Sequence, residues 1–191
     1  MSENNLVKIF KFFGDEKYSK KIAKKIAEVR KTKIINTEDL IKIIDYVKKF
    51  KNSKINNSTK IFQALRIFVN KEISELINGL INAFYLIPVG GIIAVVTFHS
   101  IEDKIVKFFF KNYSEINNSS RYVPIKENNI KCFDLQNKKP IIPSAEELKI
   151  NPPSRSAKLR FAVKVNNECN FEEFIQKFKQ LTDIEDLQFD K

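Results

Sequence analysis

The 191-residue chain contains one histidine, His99, in the stretch VVTFHSIEDKIVKFFF at residues 95–110. A histidine can serve as a general base, a proton shuttle or a metal ligand, and each role needs partners at a suitable spacing. Ser100 follows it directly, but adjacent residues on a strand project to opposite faces, which argues against a serine–histidine nucleophile pair. No histidine, cysteine or carboxylate spacing suggests a metal site. Position is the remaining argument. The apolar run Ile92–Phe98 reads as a strand and the charged segment after it as a helix. His99 and Ser100 therefore fall at the carboxyl end of a strand, the edge where open α/β sheets bind ligands. The competing account is structural: Ser100 caps the helix, Asp103 reaches back to the cap, and His99 hydrogen-bonds within the turn.

Two further stretches carry polar chemistry. Asn151–Ser154, NPPS, resembles the signature of nucleic-acid amino-methyltransferases, in which Asn or Asp and two prolines precede an aromatic residue that stacks on the base. The fourth position here is Ser154, and the segment precedes the last strand, so that match is rejected. SRSAKLR, residues 154–160, gathers Arg155, Lys158 and Arg160 with Ser154 and Ser156 around a strand start, a set able to contact phosphate. A cofactor pocket in a doubly wound fold usually needs a glycine-rich turn after its first strand. The four glycines are Gly14, Gly79, Gly90 and Gly91, and the only pair precedes a strand. No cofactor loop is encoded in these residues.

Hydrophobic spacing supplies the elements that hold these groups. Tyr18, Ile22, Ile26 and Val29 mark one face of a helix within 15–31. Thr37 is the expected N-cap of a second helix that buries Leu40, Ile41, Ile44 and Val47. Residues 51–58 read as a loop, and 59–86 as two helices or one bent helix, with Gly79 the weak point. Ile92–Phe98 lacks alternation, which predicts a strand buried on both faces, as in a parallel α/β sheet. Residues 113–140 read as a surface loop, Ala145–Leu148 as a helical turn, and Ala157–Val165 as a last strand. That strand alternates Leu159, Phe161, Val163 and Val165 against Lys158, Arg160, Ala162 and Lys164. A terminal helix follows from Asn170. The fold class is α/β.

With 43% hydrophobic residues the chain has material for a core. Its longest apolar stretch, Leu86–Phe98, is broken by Pro88 and falls short of the ~20 residues that span a bilayer. No signal peptide is visible, so no membrane role is expected. Cys132 and Cys169 lie far apart without CxxC spacing, which predicts free thiols in a reducing cytoplasm rather than a disulfide or zinc site. The net charge of +11 points to a polyanionic partner, RNA above all. The bias toward Lys, Asn, Ile and Phe offers a purely compositional alternative.

Four blocks, in order, resemble one family: GDEKYSKKIAKKIAEVRK, STKIFQALRIFVNKEISEL, PVGGIIAVVTFHSIEDKIVKFFF and KKPIIPSAEELKINPPSRSAKLRFAV. The chain is similar, from about Val7 to Val165, to the C-terminal portion of the ribosomal RNA small subunit methyltransferase H family. Those enzymes use S-adenosylmethionine to methylate N4 of a cytidine in 16S rRNA. The resemblance implies an incomplete Rossmann-like methyltransferase sheet preceded by an all-helical inserted subdomain. On that view residues 1–68 are part of the substrate-binding insert, 69–166 the C-terminal half of the methyltransferase domain, and 167–191 a helical tail. It also implies a substrate pocket near His99, Ser100, Gln63 and Arg66, and RNA contacts from Arg155, Ser156, Lys158 and Arg160. The implied partner is 16S rRNA in the small ribosomal subunit, in the cytoplasm.

The family's N-terminal part, with its glycine-rich motif and ribose-binding acid, has no counterpart in these residues. S-adenosylmethionine is therefore implied by resemblance, with no cofactor-binding residue and no metal ligand expected on this chain. Pro153 stands where the family pattern leads one to expect an arginine, and the tail beyond Asn166 finds no match. A half-sheet would expose apolar surface and an unpaired edge, so the chain is expected to need its missing half in trans, or to aggregate or dimerise through that edge. The alternatives are a non-enzymatic RNA-binding remnant and a helical interaction protein whose charge is only compositional.

Overall fold

The computed structural model describes residues 1–48, 56–114 and 130–187. Most of the loop expected at 51–58, and residues 115–129 of the one expected at 113–140, lie outside them. The chain divides into two compact units, Met1–Ser74 with Lys179–Lys191, and Glu75–Phe178. Among the described residues no helix is long and apolar enough to cross a membrane.

The first unit contains α1 (Glu3–Phe12), α2 (Ser19–Val29), α3 (Thr37–Val47) and α4 (Thr59–Asn70). Helix α1 was not legible in advance; Ser2 caps it by accepting from Asn5 N–H at 3.2 Å. Ile9, Phe10, Phe13, Ile22, Ile44, Ile61 and Ile67 form its core, all essentially inaccessible to solvent. Gly14 lets the chain after α1 pass close to α4: a Cβ there would lie 2.6 Å from the Lys60 carbonyl oxygen. Helix α3 is capped by Asn36, not Thr37. Asn36 Oδ1 accepts from Asp39 N–H at 2.9 Å and the Asp39 carboxylate accepts from Asn36 N–H, a complete capping box. Helix α5 (Glu72–Leu86) follows directly on Lys71, whose left-handed backbone (φ 51°) ends α4. The break in 59–86 is therefore at Lys71, and Gly79 lies inside α5 with open space around it. The first turn of α5 is held by Glu185, whose buried carboxylate accepts from Ile73 N–H and Ser74 N–H, each at 2.8 Å.

The second unit is built on a three-stranded sheet, order β1-β3-β2, from β1 (Ile92–Thr97), β2 (Phe133–Asp134) and β3 (Lys158–Lys164). Between the strands come α6 (Ser100–Asn112), α7 (Ala145–Ile150) and a 3-10 turn at Pro152–Ser156. Both pairings are antiparallel, with Ile92 opposite Val163 and Thr97 opposite Lys158. The parallel pairing expected of β1 is thus corrected. Its unbroken apolar run fits a strand of either direction, and the run is not buried on both faces. Ile93 and Thr97 are buried, while Ile92 and Val96 on the opposite face are 59% and 53% exposed.

The register gives the sheet two unlike faces. Ile93, Val95 and Thr97 share one with Ala162, Arg160 and Lys158, and this is the face that α6 approaches through Asp103. Ile92, Ala94 and Val96 share the other with Val163, Phe161 and Leu159, and none of these six is buried. The β3 alternation is therefore inverted relative to expectation: the fully buried positions are Ala162 and Lys164. Lys164 is 2% exposed because its Nζ donates to the Phe84 and Ile87 carbonyls at the end of α5, each at 2.8 Å, and sits 4.4 Å from the Phe84 ring centre. Those carbonyls have no partner within the helix, so the lysine acts as a C-terminal cap.

An aromatic cluster completes this core. Phe109 lies 5.2 Å from Phe133 and 4.9 Å from Phe174, centre to centre, and Phe84 lies 5.0 Å from Phe171. Phe171, Phe174 and Phe178 come from the tail and from the start of α8 (Glu172–Glu185), so the tail is an integral part of the core. Cys132 and Cys169 are joined as a disulfide, with their Cα atoms 6.2 Å apart, against the expectation of free thiols. Spacing could not reveal this, because the chain between them, across a sequence separation of 37, folds back through β3.

Candidate functional site

The end of β1 and the start of α6 form one structure. His99 has the extended backbone of an N-cap (φ −136°, ψ 165°), and its Nδ1 accepts from Glu102 N–H at 3.3 Å. Nδ1 is thus used as the capping acceptor, and Nε2 lies 3.2 Å from Glu102 Oε1. The Glu102 carboxylate in turn accepts from Phe98 N–H at 2.8 Å and His99 N–H at 3.2 Å. The cap is thus His99 with Glu102, one residue earlier than the expected Ser100 with Asp103. Ser100 is the first helical residue. Burial opposes ionisation of Glu102, but hydrogen bonds from the His99 side chain and Phe98 N–H outweigh it and hold the carboxyl below its ordinary value. The His99 side chain is only 7% exposed.

Asp103, freed from capping, joins the two sequence motifs. Its Oδ2 accepts from Lys158 Nζ and its Oδ1 from Arg160 Nε, both at 2.8 Å, across 55 and 57 residues. Burial pushes the Asp103 pKa up, yet the hydrogen bonds and charges of Arg160 and Lys158 more than offset it, and the net shift is downward. Thr97 Oγ1 donates to the Lys158 carbonyl at 3.3 Å, closing the same corner. The sheet therefore brings His99, Ser100, Lys158 and Arg160 to one end. Two of the four expected RNA contacts are already ion-paired, while Arg155 and Ser156, in the 3-10 turn, are exposed. Sequence reasoning missed Asp103 as the organiser. The signal was the second acid of IED, which has no capping role once Glu102 takes it.

Gln63 and Arg66 lie on α4 in the first unit. Gln63 Nε2 donates to the Phe13 carbonyl at 3.4 Å, and Arg66 grips Glu72 with Nε at 2.7 Å and Nη2 at 3.1 Å. Both side chains are engaged within their own unit. On the open face of the second unit, Val96, Phe98, Ile141, Ile142, Pro143 and Leu159 line an apolar groove.

Among the described residues, the glycine pair does not form a cofactor loop of the kind S-adenosylmethionine would need. The cofactor's ribose and carboxylate need free backbone N–H groups at a glycine turn after a strand and an acid for the hydroxyls. Gly90, the one glycine with positive φ (88°), lies before β1, and its N–H donates to the Lys164 carbonyl at 2.8 Å. Gly91 N–H donates to the Pro88 carbonyl at 3.0 Å. Neither is available to a ligand.

The mixed helical and antiparallel-sheet fold thus brings the FHSIED and SRSAKLR segments together at one end. The MraW methylase family model matches residues 1–165, and the chain belongs to that family. It is 46% identical over 167 residues to the ribosomal RNA small subunit methyltransferase H of Ehrlichia canis, which covers 86% of this chain and 54% of the relative. The Ehrlichia chaffeensis protein of the same name is 47% identical over 165 residues, covering 85% and 53%. The Leptospira interrogans one is 41% identical over 180 residues, covering 90% and 50%. The chain spans about half the length of the curated relatives it matches.

Proposed function

We propose that the chain supplies the RNA side of a methyltransferase that modifies N4 of a cytidine in 16S rRNA in the cytoplasm, with the S-adenosylmethionine site supplied by polypeptide outside these 191 residues. The observation that carries this reading is the unfinished sheet. Among the described residues β1 pairs only through β3, its other edge is unpartnered, and Ile92, Val96 and Phe98 remain 51–59% exposed as a group with Val89. An unpaired edge beside an uncovered apolar face is what a sheet shows when further strands and helices belong on it. The helical first unit, with its lysine-covered α2, suits the substrate side. The corner around His99 suits the approach of the base.

The test is reconstitution. The N-terminal half of the Ehrlichia canis relative is added in trans, and transfer of labelled methyl from S-adenosylmethionine to small-subunit rRNA is measured. Transfer is expected from the mixture and not from the chain alone. Transfer by the chain alone, or saturable binding of S-adenosylmethionine to it by calorimetry, would overturn the division of labour. Without a partner the β1 edge is expected to mediate self-association. A second reading, an RNA-binding protein without catalysis, is favoured by the net charge of +11. It predicts steeply salt-dependent RNA binding with no methyl transfer under any complementation.

A further inference from the structure

A second, smaller concavity lies in the second unit and shares no lining residue with the apolar groove. It has a volume of about 220 Å³ and is lined by Lys107, Phe110 and Lys111 of α6, Leu135, Asn137 and Lys138 after β2, and Arg160 and Phe161 of β3. Four of the eight lining residues are cations and none is an acid. Lys107, Lys111 and Lys138 are exposed and make no ion pair among the described residues. Asp103 is shared between Lys158 and Arg160, which leaves that trio with a net positive charge. Asp134, on β2, is paired with Lys131.

The arrangement is built and not merely basic. Lys107 and Lys111 are four residues apart on one face of α6. Arg160 is held by its Nε on Asp103, and its terminal guanidinium nitrogens make no hydrogen bond among the described residues. A guanidinium fixed at one end loses little further freedom on meeting an oxyanion. Phe110, Leu135 and Phe161 give the concavity an apolar wall, which suits the ribose or base edge attached to a phosphate better than a bare inorganic ion. The volume is below the roughly 300–1,000 Å³ of a small-molecule pocket, so it fits one nucleotide's backbone rather than a whole cofactor.

We propose that this concavity binds a phosphodiester of the RNA substrate, with Lys107, Lys111, Lys138 and Arg160 as the phosphate contacts. Of the RNA contacts expected from the sequence, Arg155, Ser156, Lys158 and Arg160, it includes only Arg160. The proposal rests on the reading of RNA as the substrate. A phosphate ester could also arrive on a free mononucleotide, and the experiment separates the two.

Binding of the full chain to a small-subunit rRNA transcript is measured across a salt series for the wild type and for Lys107→Gln/Lys111→Gln. Lys149→Gln/Lys177→Gln removes the same charge from exposed positions of the same unit outside the lining. Loss of two phosphate contacts lowers the slope of log K against log salt by roughly 1.4–1.8, or about 25- to 60-fold in affinity at 0.1 M salt. The control double variant is expected to keep the wild-type slope, and Lys138→Gln alone to lose about half as much slope. A wild type that binds steeply while the α6 variant keeps its slope would overturn the phosphate site and leave the RNA reading standing. A wild type with no salt-dependent RNA binding would overturn both. Saturable binding of cytidine monophosphate that the α6 variant loses, with RNA binding unchanged, would overturn the RNA assignment in favour of a free nucleotide. All substituted lysines are exposed, so coincident melting curves check that the fold is common to every variant.

Discussion

Replacing His99 separates its structural role from any chemical one, because the structure engages the imidazole as a helix cap. Its Nδ1 satisfies Glu102 N–H at 3.3 Å, a long bond, and its Nε2 faces the same residue's carboxylate. Loss of an N-cap side chain costs about 0.5–2 kcal/mol. The long Nδ1 contact, and the survival of the Glu102 bonds to Phe98 and His99 N–H, place His99→Ala at about 1 kcal/mol of lost stability. For a chain of this size that lowers the melting midpoint by about 2–4 °C. Asparagine is among the best N-caps and can accept from the same N–H, so His99→Asn is expected to melt within about 0.5 kcal/mol of the wild type. Melting is followed by circular dichroism. Methyl transfer is then read in the reconstituted mixture with the N-terminal half of the Ehrlichia canis relative. If His99 acts by positioning, activity follows stability, with Asn close to wild type and Ala reduced. An Asn variant that melts like the wild type yet loses methylation would refute the reasoning and put the imidazole against the base. An Ala variant as stable as the wild type would refute the cap itself.

Three further outcomes follow from the packing. Lys164→Met leaves the Phe84 and Ile87 carbonyls without their charged donor, a loss of ~1.5–3 kcal/mol per bond. The relief of an ammonium's desolvation offsets part of it, so unfolding in urea should show about 2 kcal/mol less stability, and an unchanged midpoint would contradict the capping role. Reduction of Cys132–Cys169 should release two thiols to a titrating reagent and lower stability by up to about 4 kcal/mol, the chain-entropy value for closing a loop of 37 residues; reduced protein that melts like the oxidised form would contradict it. Glu102 and Asp103 have folded pKa values below their ordinary 4.5 and 3.8. Their contribution is therefore fully present above those values and is lost as pH falls through the folded ones. Melting between about pH 7 and pH 3 should fall off at the acid end, and Asp103→Asn should flatten that fall.

How far the sequence could be read depended on whether one residue's environment was local. Helix faces are largely local: Ile22, Ile26 and Ile44 are buried where spacing placed them, but Val29, Leu40, Ile41 and Val47 are only half-buried, Tyr18 is exposed, and Ile43, outside the expected stripe, is buried. Caps are nearly so, and both errors were of one residue. Asn36 stood beside Thr37 and His99 beside Ser100, and the deciding factor was which backbone was extended, which composition does not reveal. Strand direction and strand face are not local. The apolar run of β1 was compatible with parallel or antiparallel neighbours until β3 was in place. On β3, charged residues took the covered face because their partners came from elsewhere: Asp103 for Lys158 and Arg160, two helix-end carbonyls for Lys164. The cysteine pair failed for the same reason, since its proximity is a product of the sheet.

The inverted face of β3 also explains how a sheet with one uncovered side can be held together. The polar-looking face is the one tied to α5 and α6, through ion pairs and carbonyls that need particular partners and particular positions. The aromatic cluster beneath it takes Phe171, Phe174 and Phe178 from the tail, a segment beyond residue 165 where the family match ends. The apolar-looking face, with Ile92, Val96 and Leu159, has the opposite character: non-directional surface that any matching apolar layer would cover. Directional contacts have fixed the internal side, and undirected ones remain on the external side. That is the distribution expected of a unit whose own fold is specified from within and whose open face, among the described residues, is left uncovered.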